Sequence, residues 1–178
     1  GESRDGVVIQ YLNNDTLNSG TGASEAPTTT GTPTGGRSVL LVEAVDMLTL
    51  DKLTLRNNTV RSSGISGQAE TIYFNSDGRL IAKDATFKSE QDTLNLKGWA
   101  WFYRTLVEGN VDFIWGSSRA ALFEESEIRS VGDSANASSG GYVLQARVPN
   151  AADKGYVFLN SELTHGPGPG PLKGDVPA

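Results

Sequence analysis

The chain has 178 residues, 15 Lys and Arg against 21 Asp and Glu, a net charge of −6, no cysteine and one histidine. That length fits one domain with a sizeable core, and the charge shows no Lys/Arg cluster of the kind that grips nucleic-acid phosphates. The missing cysteines and the single histidine exclude cysteine nucleophiles, thiolate zinc sites, disulfide frameworks and histidine-cluster metal sites, and no apolar run approaches the roughly 18 residues of a membrane helix.

Gly1 opens into polar residues, with no basic region and apolar core of a signal peptide in this sequence, and the start without Met reads as an internal or processed piece. Residues 13–36, "NNDTLNSGTGASEAPTTTGTPTGG", are rich in Gly, Thr, Ser and Pro and read as a loop excursion. From there on, short runs alternate apolar and polar residues and favour Val, Leu, Ile, Thr and aromatics, a strand signal; no window gives a long amphipathic helix. The segments "LDKLTLRNN" (50–58), "AKDATFKSE" (82–90), "FYRTLVEGN" (102–110), "FEESEIRSV" (123–131) and "LNSELTHG" (159–166) share one pattern. Phe87 and Val107 lie 20 residues apart, and Val107 and Ile128 lie 21 apart. A period near 20 built from short strands predicts an all-β solenoid in which each coil adds a strand to each of several parallel sheets. The competing architecture, a β-sandwich, predicts tight hairpin turns, and only "SDGR" (76–79) fits one. "GDSANASSGG" (132–141) reads as a further loop, and 167–178 as an irregular tail on one domain spanning 1–178. A Ser-His-Asp triad would have to use His165, which falls in the Gly/Pro-rich "LTHGPGPGPLKG" and reads as a loop histidine. Carboxylates, amides and backbone are left to do any chemistry.

In a solenoid, residues one period apart stack about 4.8 Å apart on neighbouring coils. Asp92 and Asp112 are 20 residues apart, and Gln68 lies 24 before Asp92. The spacing predicts a column of Gln68, then Gln91 and Asp92, then Asp112. Two close carboxylates drive their pKa values apart and yield an acid and a nucleophile from one residue type. Glutamine amides beside them suit an oxyanion forming on an attacked carbonyl. That layout fits acyl transfer at an ester. The aromatics Trp99, Trp101, Phe102, Tyr103, Phe113 and Trp115 surround the column, some as core and some as walls for a sugar ring. Solenoid turns also use Asp for side-chain to backbone hydrogen bonds, and spacing alone leaves both readings open.

"GISGQAETIYF", "SEQDTL" and "VEGNVDFIWG" resemble the central signatures of the pectin methylesterases, and the resemblance runs from about Val7 to Thr164. It implies a right-handed parallel β-helix and hydrolysis of galacturonate methyl esters in pectin. By resemblance Asp112 is the nucleophile, Asp92 the general acid and then base, Gln91 and Gln68 the oxyanion hole, and Val111 and Trp115 the walls of a sugar subsite. The resemblance implies neither metal nor organic cofactor. It implies methylated pectin as partner and a secreted or periplasmic location. Sites of Asn-x-Ser/Thr type at Asn14, Asn57 and Asn136 are compatible with secretion.

Three departures stand out. Trp115 replaces a commoner Phe, and Asn95 stands where Tyr often follows the Gln-Asp-Thr-Leu signature. The family's Leu-Gly-Arg-Pro-Trp-type segment is absent, and its arginine role is not carried to Arg147 in "LQAR". The family's Gly-x-Tyr-x-Glu coil is absent as well. The chain therefore reads as the middle of a longer helix, truncated at both ends, with exposed coil faces expected to make it marginally stable or associating. Against the esterase stand a non-catalytic polysaccharide-binding module or inactive fragment, and an esterase of the same fold acting on another acyl group. A polygalacturonase needs an acid pair not visible here, and a pectate lyase needs a denser acidic calcium cluster.

Overall fold

The computed structural model describes residues 1–18, 36–63 and 67–170. Most of the 13–36 excursion (19–35) and of the tail (171–178) lies outside the described residues. The strands are, in chain order, β1 (Val8–Tyr11), β2 (Leu40–Glu43), β3 (Met47–Asp51), β4 (Thr54–Asn57), β5 (Ile72–Asn75), β6 (Arg79–Lys83), β7 (Thr86–Lys88), β8 (Leu94–Tyr103), β9 (Leu106–Gly109), β10 (Ile114–Glu124), β11 (Glu127–Val131), β12 (Leu144–Ala146), β13 (Gly155–Leu159) and β14 (Glu162–Gly166). No helix occurs among the described residues, so none is long and apolar enough to cross a membrane.

The five repeated segments of the sequence stack. Together with β1 they form one sheet in the order β1-β4-β7-β9-β11-β14, every pair parallel. Their apolar step forms a register column, Ile9, Leu55, Phe87, Val107, Ile128 and Leu163. The four middle members are at most 1% exposed. The remaining strands form the opposite wall, ordered β12-β10-β8-β5-β2, with β3, β6 and β13 joined alongside. The result is the right-handed parallel β-helix, since parallel crossovers of one sheet take that hand.

Between the walls runs a file of phenylalanines that ends in the exposed Phe158. Phe102 meets Phe87 edge-on at 5.5 Å and stacks on Phe123 at 4.6 Å, and Phe123 stacks on Phe158 at 5.0 Å. The coil period puts one ring on each coil, which explains a core this aromatic in a chain with only six Phe.

The "SDGR" stretch is not a hairpin. β5 and β6 flank it, and both pair in parallel with β8, so it is a corner within one coil. Gly78 packs there against the carbonyls of Val45 and Asp46, where a Cβ would clash. Asn14 and Asn57 are buried, and the Asn57 amide donates to the carbonyls of Arg37 and Glu70, so neither is open to a glycan; Asn136 is exposed.

The coils turn through residues in the left-handed region. At one corner these are Lys52, Asp84, Arg104, Glu125 and Asn160, with φ between 48° and 54°. Backbone bonds Lys52 to Lys83, Asp84 to Tyr103, Arg104 to Glu124 and Glu125 to Leu159 stack them coil on coil. A second corner holds Asp92 at φ 60° and Asp112 at φ 48°. Left-handed φ costs an L-residue about 1–2 kcal/mol, least for Asp and Asn.

Candidate active site

Gln68, Gln91 and Val111 pair side by side as isolated parallel bridges. The Asp92 amide donates to the Val111 carbonyl at 3.0 Å, which puts Asp92 and Asp112 on successive coils at the second corner. The expected column thus divides into two adjacent ones. One carries Gln68, Gln91 and Val111; the other carries Asp92 and Asp112.

Asp92 is 4% exposed, whereas Asp112 is only half-buried. Burial pushes the Asp92 carboxyl up to about 8, helped by the charges of Glu70 and Asp112 and opposed by Arg37. Burial raises Asp112 above the ordinary aspartate range as well, opposed by Arg147. At neutral pH the pair therefore divides its roles. Asp92, the more deeply buried of the two, is the one held neutral near pH 7, and Asp112 is the one nearer solvent.

Arg37 was missed by the sequence reading. It follows the Gly/Thr-rich loop and belongs to no periodic segment, so nothing in its neighbourhood marks it. Its Nε lies 2.9 Å from both carboxylate oxygens of Glu70, its Nη1 donates to Gln68 Oε1 at 2.7 Å, and its Nη2 donates to Asp92 Oδ2 at 3.2 Å. Arg37 is 7% exposed and Glu70 is fully buried. Two asparagines brace this segment: Asn13 Nδ2 donates to the carbonyls of Gly36 and Ser38, and Asn57 Nδ2 donates to that of Arg37.

On the far side of Asp112, Gln145 Nε2 donates to Asp112 Oδ2 at 3.2 Å. The Arg147 guanidinium sits 5.0 Å from the Trp115 ring centre, and that of Arg37 lies 5.9 Å away. Gln145 and Arg147 escape a period count because the 132–141 loop stretches their coil to 33 residues after Asp112. Motif matching gave Arg147 no role, yet the structure brings its charge to Asp112.

The floor is a register row across parallel strands: Leu41, Tyr73, Asn95, Trp115 and Gln145. Trp115 is 9% exposed and its indole N–H has no partner among the described residues. Val111 is half-buried. Of the other aromatics, Phe102 and Phe113 are core. Trp99 and Trp101 do not surround the site; β8 bends at Gly98, and beyond it they face outward beside Ile81, Leu122 and Val157, around an apolar cavity of about 430 Å³ that contains no site residue. His165 lies in a strand rather than a loose tail. It pairs in register with Ser130, is exposed, and lines a groove with Glu108, Arg129 and Thr164.

No family model matches the chain. Pectinesterase 31 of Arabidopsis thaliana is 33% identical over 135 residues, covering 75% of the chain and 39% of that protein. The pectin methylesterase of Yersinia enterocolitica superposes with a TM-score of 0.72 at 27% identity, over 94% of the chain and 54% of its own. A pectin methylesterase solved in complex with a hexasaccharide gives a TM-score of 0.69 at 25% identity, over 93% of the chain and 50% of its own. The chain spans about half the length of these solved relatives. With this sequence likeness joined to the shared β-helix, the chain belongs to the pectinesterase family.

Proposed function

We propose that the site hydrolyses methyl esters of galacturonate units in pectin, with Asp112 as nucleophile and Asp92 as general acid and then base. The observation that carries this reading is the unequal pair: two aspartates on successive coils, one buried with its carboxyl pushed up to about 8, the other half-exposed, beside two glutamine amides. Asp112 attacks the ester carbonyl carbon. The oxygen gains the electron pair, and the Gln68 and Gln91 amides stabilise that charge. Collapse of the intermediate breaks the C–O bond, and the Asp92 proton passes to the departing methoxy oxygen to give methanol. The acid anhydride left on Asp112 is then opened by water, whose proton returns to Asp92. Asp92 and Asp112 are thereby restored, and the galacturonic acid is released as its carboxylate, its proton passing to solvent.

Trp115 and Val111 line the sugar subsite in this reading, and Gln145 and Arg147 hold Asp112 on the side away from Asp92. The chain's acidity disfavours fully de-esterified, polyanionic pectin and tolerates a methylated, nearly neutral one. Pectin is a wall polymer, so the reading places the protein outside the producing cell or in the periplasm.

Methanol release from highly methylated pectin, measured for wild type and Asp112→Asn, tests it. Release that falls by about 10⁴-fold or more in the variant is expected. Undiminished release from Asp112→Asn removes Asp112 as nucleophile; no release from the wild type turns the reading toward polysaccharide binding or another ester.

A further inference from the structure

We propose that Arg37 is a positioning residue for this site: it locks the Gln68 amide with its oxygen turned inward, so that the Nε2 N–H group is the face left for the oxyanion. This inference rests on the ester-hydrolysis reading above. A glutamine amide carries one acceptor and one donor end, and the two are interchangeable by a half-turn. A guanidinium carries donors only. Arg37 Nη1 sits 2.7 Å from the Gln68 oxygen, and the flipped amide would set N–H against N–H there. The orientation is therefore fixed by chemistry and not by packing.

Arg37 is itself held. Its Nε spans both oxygens of Glu70, which is fully buried, and its backbone carbonyl is bonded by Asn57. The guanidinium has no freedom to follow Gln68 if the glutamine swings. Gln91, by contrast, has a buried side-chain oxygen with no partner among the described residues. Of the two glutamines in the column, Gln68 is the anchored one and Gln91 the adjustable one. The third contact of Arg37, to Asp92 Oδ2 at 3.2 Å, ties the acid to the same guanidinium. One side chain thus sets the spacing between an oxyanion donor and the proton donor.

The test is a double-mutant cycle in the full-length gene product, read by methanol release from methylated pectin. Arg37→Met alone would strand the buried Glu70 carboxylate, so it is combined with Glu70→Met, which removes both charges together. The combined change is expected to lower kcat about 100-fold with KM within about threefold, the usual effect of losing one oxyanion donor. In a Gln68→Ala background the same change is expected to cost about tenfold less than in wild type, because the donor it orients is already gone and only the contact to Asp92 remains to be lost. Equal losses in both backgrounds, or no loss in either, overturn the proposal. Should the methionine pair fail to fold, Arg37→Lys runs through the same cycle, because lysine keeps a charge but not the fork that reaches three partners. A second readout needs no turnover. With glutamine side chains labelled in nitrogen-15, the Gln68 amide resonances are expected to be sharp in wild type and to shift and average in the Arg37 variants. An unchanged Gln68 amide overturns the orienting role. If wild type releases no methanol, the ester reading falls and this spectrum alone decides what Arg37 does.

Discussion

Two corners of the helix share a backbone and differ in what they stack. At the first, Lys52, Asp84, Arg104 and Glu125 follow one another with alternating charge, and Arg104 grips Asp84 through two hydrogen bonds of 2.8 Å. At the second, Asp92 and Asp112 stack like on like, with Glu70 adding a third carboxylate to the field at Asp92. Left-handed φ is common to both, so it is a property of the coil and no sign of function. The sign is the refusal to alternate. The solenoid pairs opposite charges along one corner, and at the other it places acids on successive coils and buries one against Arg37, the arrangement on which the proposed chemistry rests.

The sharpest way to break the comparison is to neutralise the buried acid. Asp92→Asn is expected to lower kcat by about 10²–10⁴-fold while leaving the fold intact. The wild-type pH profile is expected to lose kcat/KM as pH rises through about 8, where Asp92 gives up the proton it must donate. A profile that stays flat from pH 7 to 10 contradicts the assignment of the acid.

The same residue separates the corners by stability. Folded Asp92 keeps its proton to about pH 8, whereas in the unfolded chain it ionises near pH 4. Between those values the unfolded state is favoured increasingly as pH rises, so Asp92 costs stability that an asparagine does not. Melting curves are expected to show Asp92→Asn several degrees more stable than wild type at pH 8 and equal to it at pH 4. Equal melting temperatures at both pH values would mean that the acid is not held neutral.

A smaller effect is expected at Asp112. Gln145→Ala removes its 3.2 Å amide donor, and a loss of about tenfold in kcat is predicted, with KM little changed. A larger loss in KM than in kcat would make Gln145 a substrate contact instead.

The smallest effect should come from imposing the second corner's pattern on the first. Arg104→Asp would stack three acids at Asp84, position 104 and Glu125, all near solvent. A slight fall in melting temperature is expected, deeper at low salt and absent at high salt, with activity unaltered. A salt-independent fall would point to lost packing against Tyr103, whose ring lies 4.7 Å from the Arg104 guanidinium.

The legible parts of the site were those written in the coil period. Asp92 and Asp112, and the three middle repeats at Phe87, Val107 and Ile128, fall at 20–21 residues, and counting finds them; the outer two repeats lie 32 and 35 residues away and are found by their shared pattern. Splitting Gln68, Gln91 and Val111 from the aspartates needed strand register, because Gln68 pairs with Gln91 across 23 residues while Ile72 pairs with Leu94 across 22. Arg37, Gln145 and Arg147 were invisible for a related reason. They reach the site across loops whose lengths are free to vary, so no spacing encodes them. The aromatics failed on another ground: "KGWAWFYR" alternates cleanly, but the bend at Gly98 decides which space the outward rings face.

The bond from the Asp92 amide to the Val111 carbonyl belongs to the backbone, and so do the bridges joining Gln68, Gln91 and Val111. The backbone spacing between Asp92 and Asp112 is therefore inherited from the coil pitch. A loop that lengthens between coils, as 132–141 does, leaves that backbone spacing in place.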